Sequence, residues 1–395
     1  MRVVRIITRL NVGGPSIQAA ELSSRLRPRG FETVLVHGTL GEAEGDMQYL
    51  VADAVDARRI AALQRPLAPT RDAAAFRQIL AILREVRPHI VHTHMAKAGT
   101  LGRAAAWIHN RTAGRGAPAR VVHTYHGHVF EGYFAPAAAA FFTWTERRLA
   151  RVTDAIVAIS PRIRAELVNE FHIGRPDQYH VVPLGFDLAP LAAIDGRVRA
   201  EARRALDVPA DAHVVTTVGR LTAIKQHTLF LDAAQRIAER DRLALFLIAG
   251  DGELAGALDA RAHELRIVDR VRFLGWRRDL TTIYGASDVF LLTSRNEGTP
   301  VALIESLAAG VPGVSTDVGG VRDVIDGEAV GLLAPFGDAD GLASHVLALL
   351  ADPDRRARMG AAGRTSVTAR YDIDRLVDDI ERLYRTLVAY NHITP

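Results

Sequence analysis

The chain has 395 residues, more than one hydrophobic core ordinarily organises, so two domains are expected. It contains no cysteine, which removes disulfides, thiolate metal sites and cysteine nucleophiles from consideration. Its net charge of +4, with 49 basic residues scattered among 45 acidic ones and no Arg/aromatic recognition motif, argues against nucleic acid as a partner.

Strand and helix patterns alternate almost throughout, which predicts parallel sheets. The opening MRVVRIITRL reads as a strand at 3–8 rather than a signal peptide. Further strands are predicted at 33–36, 90–93, 120–124 and 155–159, with a short last one at 179–183. Amphipathic helices are expected over 17–26, 73–86, 100–109, 136–151 and 161–170. The stretch 134–144 is small and apolar, but it contains Pro136 and has about half the length that a bilayer crossing requires. Pro-Leu-Gly at 183–185 breaks the pattern, and polar residues to about 195 read as a linker. The alternation then restarts, with strands at 213–218, 244–248, 271–274, 289–292 and 313–315, each followed by a helix. A final helix over 374–389 is expected to cross back onto the first domain. The predicted class is α/β: two Rossmann-like doubly wound parallel sheets, 1–190 and 191–373, facing a central cleft, with 374–395 as the returning helix.

Chemistry concentrates at the strand ends. NEGTPVALIES (296–306) follows the strand at 289–292 and opens a helix near Pro300, a residue preorganised for a first turn. It puts Glu297 in the loop and Glu305 one to two turns inside the helix, at the carboxyl edge where open α/β sheets bind ligands. VGRLTAIKQH (218–227) supplies Gly219 for a sharp turn and brackets the loop with Arg220 and Lys225. A guanidinium fork and a mobile ammonium together suit a diphosphate. Of the 49 basic residues only Lys97 and Lys225 are lysines, so both are expected where a compact ammonium matters.

AGDGELAGA (249–257) has the Gly-x-Gly-x-x-Ala spacing of a dinucleotide site. The next strand ends in Leu-Gly, without the acidic residue that would hold a ribose, which argues against a nicotinamide enzyme. Gly319-Gly320 in VSTDVGGVRDVI (314–325) is a weak signal for a loop shaping the same cleft. In the first half, LNVGGPS (10–16) lets backbone approach a phosphate at a helix start.

Two strand ends are rich in histidine: VHTHMAKAGT (91–100) and VHTYHGHVFEGYF (122–134). His92 and His94 alternate onto one strand face, which gives core or hydrogen-bonding roles to them and to His123. No carboxylate completes a ligand set, so no metal is expected. His126, beside a glycine at the strand end, is the candidate for touching substrate.

Five of these motifs in order, GGP (13–15), HGH (126–128), GRLTAIK (219–225), AGDGE (249–253) and EGTPVALIES (297–306), resemble glycosyltransferase family 4, retaining enzymes of the GT-B architecture. Ser306 stands where an alanine is commoner, and Thr299 where many members carry an aromatic or other residue. The resemblance implies an acceptor-binding first domain and a second domain holding a nucleotide-sugar. Arg220 and Lys225 would hold the diphosphate, with Gly219 in their loop and the Gly14 backbone meeting the same phosphates. Glu297 would contact the transferred sugar beside the amides of Gly298, Thr299, Pro300 and Val301, proline contributing no N–H. Glu305 would accept from the ribose, the base would sit near Gly275–Arg278, which includes Trp276 and Arg277, and His126 would lie against the sugar.

The implied reaction is metal-independent transfer of a hexose or N-acetylhexosamine, from a UDP-sugar by family frequency, to a hydroxyl acceptor such as a lipid-linked or cell-envelope glycan precursor. The absence of cysteine fits a cytoplasmic location, and a peripheral position at the inner face of the membrane is left open beside it. Lys97, His128 and Tyr133 are the acceptor-side candidates. The stretch 126–152, with Arg147, Arg148 and Arg151 among aromatics, either rests on a membrane surface or uses Phe141, Phe142 and Leu149 as an ordinary core face. A nucleotide-sugar epimerase and a non-catalytic nucleotide-sugar-binding subunit stay open as alternatives. The epimerase would need no acceptor, and a silent subunit is expected to lack Arg220, Lys225 or Glu297.

Overall fold

The computed structural model describes residues 1–389 except 12, 42–44, 52, 54, 113–117 and 128–135. Among these residues the chain forms two compact units, Met1–Phe186 together with the stretch from Ile373 onward, and Asp187–Asp372.

The first unit is built on seven parallel strands: β1 (Arg2–Ile7), β2 (Glu32–His37), β3 (Asp56–Arg59), β4 (Ile90–His94), β5 (Arg120–Tyr125), β6 (Ala155–Ala158) and β7 (Tyr179–Val181). Their order is β3-β2-β1-β4-β5-β6-β7, so the direction of winding reverses between β1 and β4. Helices α1 (Gly14–Arg25), α2 (Pro69–Val86), α3 (Ala96–Thr112), α4 (Pro136–Ala150) and α5 (Pro161–Ala165) accompany them. The helix expected over 161–170 changes character after Ala165, where Glu166–Glu170 form a π-helical turn.

One face of this sheet packs Val4, Ile6, Val34 and Val91 against Ile79 and Leu83 of α2 and Ala105 of α3. The other packs Val3, Ile90 and Val122 against Leu22 of α1 and the C-terminal helix, Ile373–Ala389. That helix buries Ile373, Leu376, Val377, Ile380, Leu383 and Tyr384, the three-and-four spacing of an amphipathic face. Strand β3, with the sequence DARR, escaped the periodicity argument because it is a charged edge strand with no apolar face to repeat.

The second unit opens with α6 (Ala189–Ala192) and α7 (Gly196–Ala205), inside and just after the stretch read as linker. Its sheet contains β8 (His213–Val218), β9 (Ala244–Ala249), β10 (Val271–Gly275), β11 (Val289–Leu292), β12 (Gly313–Thr316) and β13 (Gly331–Ala334). All pairings are parallel, in the order β10-β9-β8-β11-β12-β13. Helices α8 (His227–Arg240), α9 (Ala255–Glu264), α10 (Leu280–Ala286), α11 (Val301–Ala308), α12 (Ala339–Ala351) and α13 (Pro353–Tyr371) cover it. Strand β13, with the sequence GLLA, is the second one that the residue pattern did not predict. Winding reverses between β8 and β11, and the crevice beyond such strand ends is where open α/β sheets hold ligands.

Candidate active site

The loops after β8 and β11 meet at that reversal. Lys225 Nζ donates to Glu297 Oε1 at 2.6 Å, and Ser294 Oγ donates to the same oxygen at 2.6 Å. Glu297 is 7 % exposed and Ser294 fully buried, so the carboxylate is held from behind. The two loops are laced by backbone as well: Arg295 N–H donates to the Ile224 carbonyl, and Thr293 Oγ1 reaches the Gln226 carbonyl at 3.0 Å. Arg220 is exposed, and its guanidinium has no hydrogen bond or ion pair to the described residues. An unpaired guanidinium and an ammonium on one loop are chemically able to hold an oxyanion.

Two glycine-bearing loops brace this pair. Gly320 N–H donates to the Glu297 carbonyl at 2.8 Å, and a Cβ at 320 would overlap the Gly298 carbonyl oxygen. The glycine pair read as a weak signal thus supports the Glu297 loop directly. The loop after β9 packs against Gly219 just as closely: at Gly250, φ is +148° and a Cβ would overlap the Gly219 carbonyl oxygen. Its Asp251 carbonyl accepts from Leu221 N–H, so AGDGE here shores up the Arg220–Lys225 loop.

Gly298 and Thr299 continue the loop, Pro300 stands at the N-cap of α11, and Val301 begins the helix, whose first N–H groups have no intrahelical acceptor. Glu305 lies one turn further in. Burial raises its carboxyl to about 7, against the opposing effect of a hydrogen bond from Tyr284 Oη to Oε2 at 3.0 Å. Beyond β10, Arg277 is paired with Asp279, and the exposed Trp276 ring has the Arg278 guanidinium 4.7 Å from its centroid.

In the first unit, Gly14 begins α1 and is buried. His92 and His94 stack with centroids 4.3 Å apart, and His94 Nδ1 lies 3.0 Å from His126 Nε2. His92 hydrogen-bonds to Thr124 and to Tyr384 of the C-terminal helix, while His123 Nδ1 meets Thr93. Burial holds His126 down to about 3, so it is a neutral imidazole. No group of three or more His, Asp or Glu among the described residues gathers as a metal set.

Lys97 has a different partner from the one expected. Its ammonium donates to Asp72 Oδ1 at 2.6 Å and to the Pro66 carbonyl, tying the start of α3 to α2. With its side chain 9 % exposed, the charge is already neutralised within the fold. His128 and Tyr133 lie outside the described residues. Sequence reasoning passed over Ser294 and Tyr284. Ser294 had a local signal three residues before Glu297, whereas Tyr284 had none.

The chain and its architecture have counterparts among known proteins. Residues 12–190 match the family described as Glycosyltransferase Family 4, and residues 198–366 match Glycosyl transferases group 1. The chain is 30% identical over 349 residues to the Escherichia coli UDP-Gal:alpha-D-GlcNAc-diphosphoundecaprenol alpha-1,3-galactosyltransferase, covering 87% of each protein. It is 35% identical over 229 residues to the lipopolysaccharide core biosynthesis glycosyltransferase LpsE of Rhizobium meliloti, 58% of this chain and 63% of that one. In fold it resembles Anabaena HepE, solved in complex with UDP and glucose, with a TM-score of 0.79 at 19% identity over 98% of this chain and 100% of the other. With both halves matched in sequence and two parallel-sheet α/β units of GT-B kind, the chain belongs to glycosyltransferase family 4 and takes its sugar from a nucleotide-sugar.

Proposed function

We propose that the protein is a retaining, metal-independent hexosyltransferase that moves a hexose or N-acetylhexosamine from a UDP-sugar to a hydroxyl of a lipid-linked or cell-envelope glycan precursor. The observation that carries this reading is the Lys225–Glu297 pair, with Lys225 on the loop that also bears the unpaired Arg220. A retaining glycosidase sets two carboxylates about 5 Å apart as nucleophile and acid. Here a cation occupies the carboxylate's flank, as an anionic leaving group requires.

In the proposed reaction the bond from the anomeric carbon to the diphosphate oxygen breaks, and Arg220 and Lys225 stabilise the departing charge. The acceptor hydroxyl bonds to that carbon on the same face, and its proton passes to the leaving diphosphate. Glu297 Oε2, opposite the oxygen held by Lys225 and Ser294, accepts from a sugar hydroxyl. The N–H groups of Gly298, Thr299 and Val301 lie beside it, and Arg277 is assigned to the base. His126, as a neutral ring in the first unit, is suited to hydrogen bonding rather than to acid catalysis.

The uridine and lipid assignments draw on the named substrate of the Escherichia coli relative and on the HepE complex. Calorimetric titration with UDP, GDP, ADP and NAD in chelator, on wild type and on Arg220→Ala/Lys225→Ala, tests the donor site. UDP is expected to bind the wild type and to fail with the double variant. Binding of none, or of NAD alone, would overturn the reading.

The acceptor side is proposed to meet an anionic membrane surface through α4. Glu146 is buried against Arg103 of α3, which fixes the rotation of the helix. At 100° per residue, Phe141, Trp144 and Arg148 fall on the opposite face. There Phe141 is 61% and Trp144 53% exposed, their rings stacked at 6.2 Å, with Arg147, Arg148 and Arg151 exposed nearby. Among the described residues no helix is long and apolar enough to cross a membrane, so the contact would be peripheral.

A further inference from the structure

We propose that Tyr284 is a positioning residue for donor binding, which holds Glu305 ready to accept hydroxyls of the nucleotide and makes donor affinity depend on the protonation of Glu305. The proposal rests on the reading of Glu305 as the ribose-side acceptor given above.

Tyr284 is fully buried on α10, and its hydroxyl has two acceptors within reach: Glu305 Oε2 at 3.0 Å and the Ala302 carbonyl at 3.1 Å, both on α11. A phenol has one proton to give. With Glu305 ionised, the proton goes to the carboxylate and fixes Oε2, which leaves Oε1 to accept from a ligand. With Glu305 protonated, its own O–H can donate to the phenol oxygen, and the tyrosine proton turns to the Ala302 carbonyl. The same geometry therefore serves both states, and only the ionised one presents a purely accepting carboxylate.

The surroundings leave the equilibrium between the two states to this contact. On α10 (LTTIYGA) Tyr284 is the one titratable side chain, while α6, β11 and β12 contribute none against α11. On α13, Arg364 reaches α11 but donates to the Ala309 carbonyl. Before the helix, Lys225 and Glu297 neutralise each other. Burial is what raises the Glu305 carboxyl to about 7, and Tyr284 is what opposes it.

Nucleotide hydroxyls donate to the ionised form, so binding draws Glu305 toward ionisation. The sign follows: affinity is full above the free-state value and falls by up to about tenfold per pH unit below it.

The test is calorimetric titration of UDP from pH 5.5 to 9 on wild type, Tyr284→Phe and Glu305→Gln. Phenylalanine fills the same volume and removes only the hydroxyl. The wild-type affinity is expected to decline below about pH 7, and Tyr284→Phe to move that decline upward. The phenylalanine variant should then lose about 3- to 10-fold at pH 7 and under 2-fold at pH 9. Glu305→Gln is expected to bind weakly at every pH with no such decline. A loss in Tyr284→Phe that is equal at all pH values would mean a packing role and overturn the proposal, as would no loss at all. Unaltered affinity in Glu305→Gln would instead overturn the underlying assignment of Glu305.

Discussion

Lys225 and Glu297 stand 72 residues apart in sequence, yet their charged atoms lie 2.6 Å from each other. They come together because β8 and β11 are neighbours at the point where the sheet reverses its winding. The pair holds a carboxylate and a cation side by side before a ligand arrives, the preorganisation on which the proposed reaction would draw.

Lys225→Ala is expected to lower kcat about 100-fold or more, the size of loss usual for one preorganised charge-stabilising group. Lys225→Arg is not expected to restore it, because a planar fork differs from a compact ammonium on the same loop. Ser294→Ala removes one hydrogen bond to Glu297 Oε1, about 1.5–3 kcal/mol or roughly 10- to 100-fold in kcat/KM. Steady-state release of the nucleoside diphosphate measures all three; activity of Lys225→Ala within threefold of wild type would contradict the assignment.

The ion pair between Arg103 and Glu146 lies inside the first unit, with Arg103 Nη2 2.7 and 2.6 Å from the two carboxylate oxygens. Glu146→Gln would leave an uncompensated buried guanidinium and is expected to destabilise the fold by about 3–5 kcal/mol. Replacing both partners, Arg103→Met with Glu146→Leu, should recover most of that. Urea unfolding reads the difference, and equal loss in single and double variants would show that the packing, not the charge, matters.

Vesicle flotation tests the α4 face. Binding to vesicles rich in anionic lipid, weakening with added salt and reduced at least fivefold in Phe141→Ser/Trp144→Ser, is the expected pattern. Equal binding to neutral vesicles, or none to anionic ones, would remove the membrane proposal.

The buried histidines predict acid sensitivity. Burial holds His92, His94 and His123 well below the usual imidazole range, and Arg5 or Arg103 adds to it. The unfolded chain therefore takes up protons that the folded one refuses. Stability is full above about pH 6.5 and declines below it, by up to about 1.4 kcal/mol per pH unit for each such histidine. The urea midpoint should fall between pH 7.5 and 5.5; a midpoint that rises over that interval would contradict it.

Much of this arrangement was legible from residue order. Strands β8 and β11 were placed at 213–218 and 289–292, where the structure has them, because β11 is a continuous apolar run and β8 (HVVTTV) is rich in β-branched residues. The loop glutamate and the paired cations followed from their positions after those strands. Strands β3 and β13 were not legible, the first for want of apolar residues. The pairing of Lys97 with Asp72, on a different helix, was not legible either, because rarity of lysine says nothing of partners.

The sequence by itself determined the alternation of strands and helices, the family, and which loops carry the charged groups. These depend on periodicity and on turn residues, which act over a few positions. Only the tertiary structure decided that Tyr284 holds Glu305, 21 residues away, that His94 meets His126, 32 away, and that Arg103 and Glu146, 43 apart, set the exposed face of α4. Each is a contact between side chains on separate elements. Strand order and helix rotation bring such atoms within hydrogen-bond reach, and both are settled by burial of apolar faces across the whole unit rather than by any local run of residues.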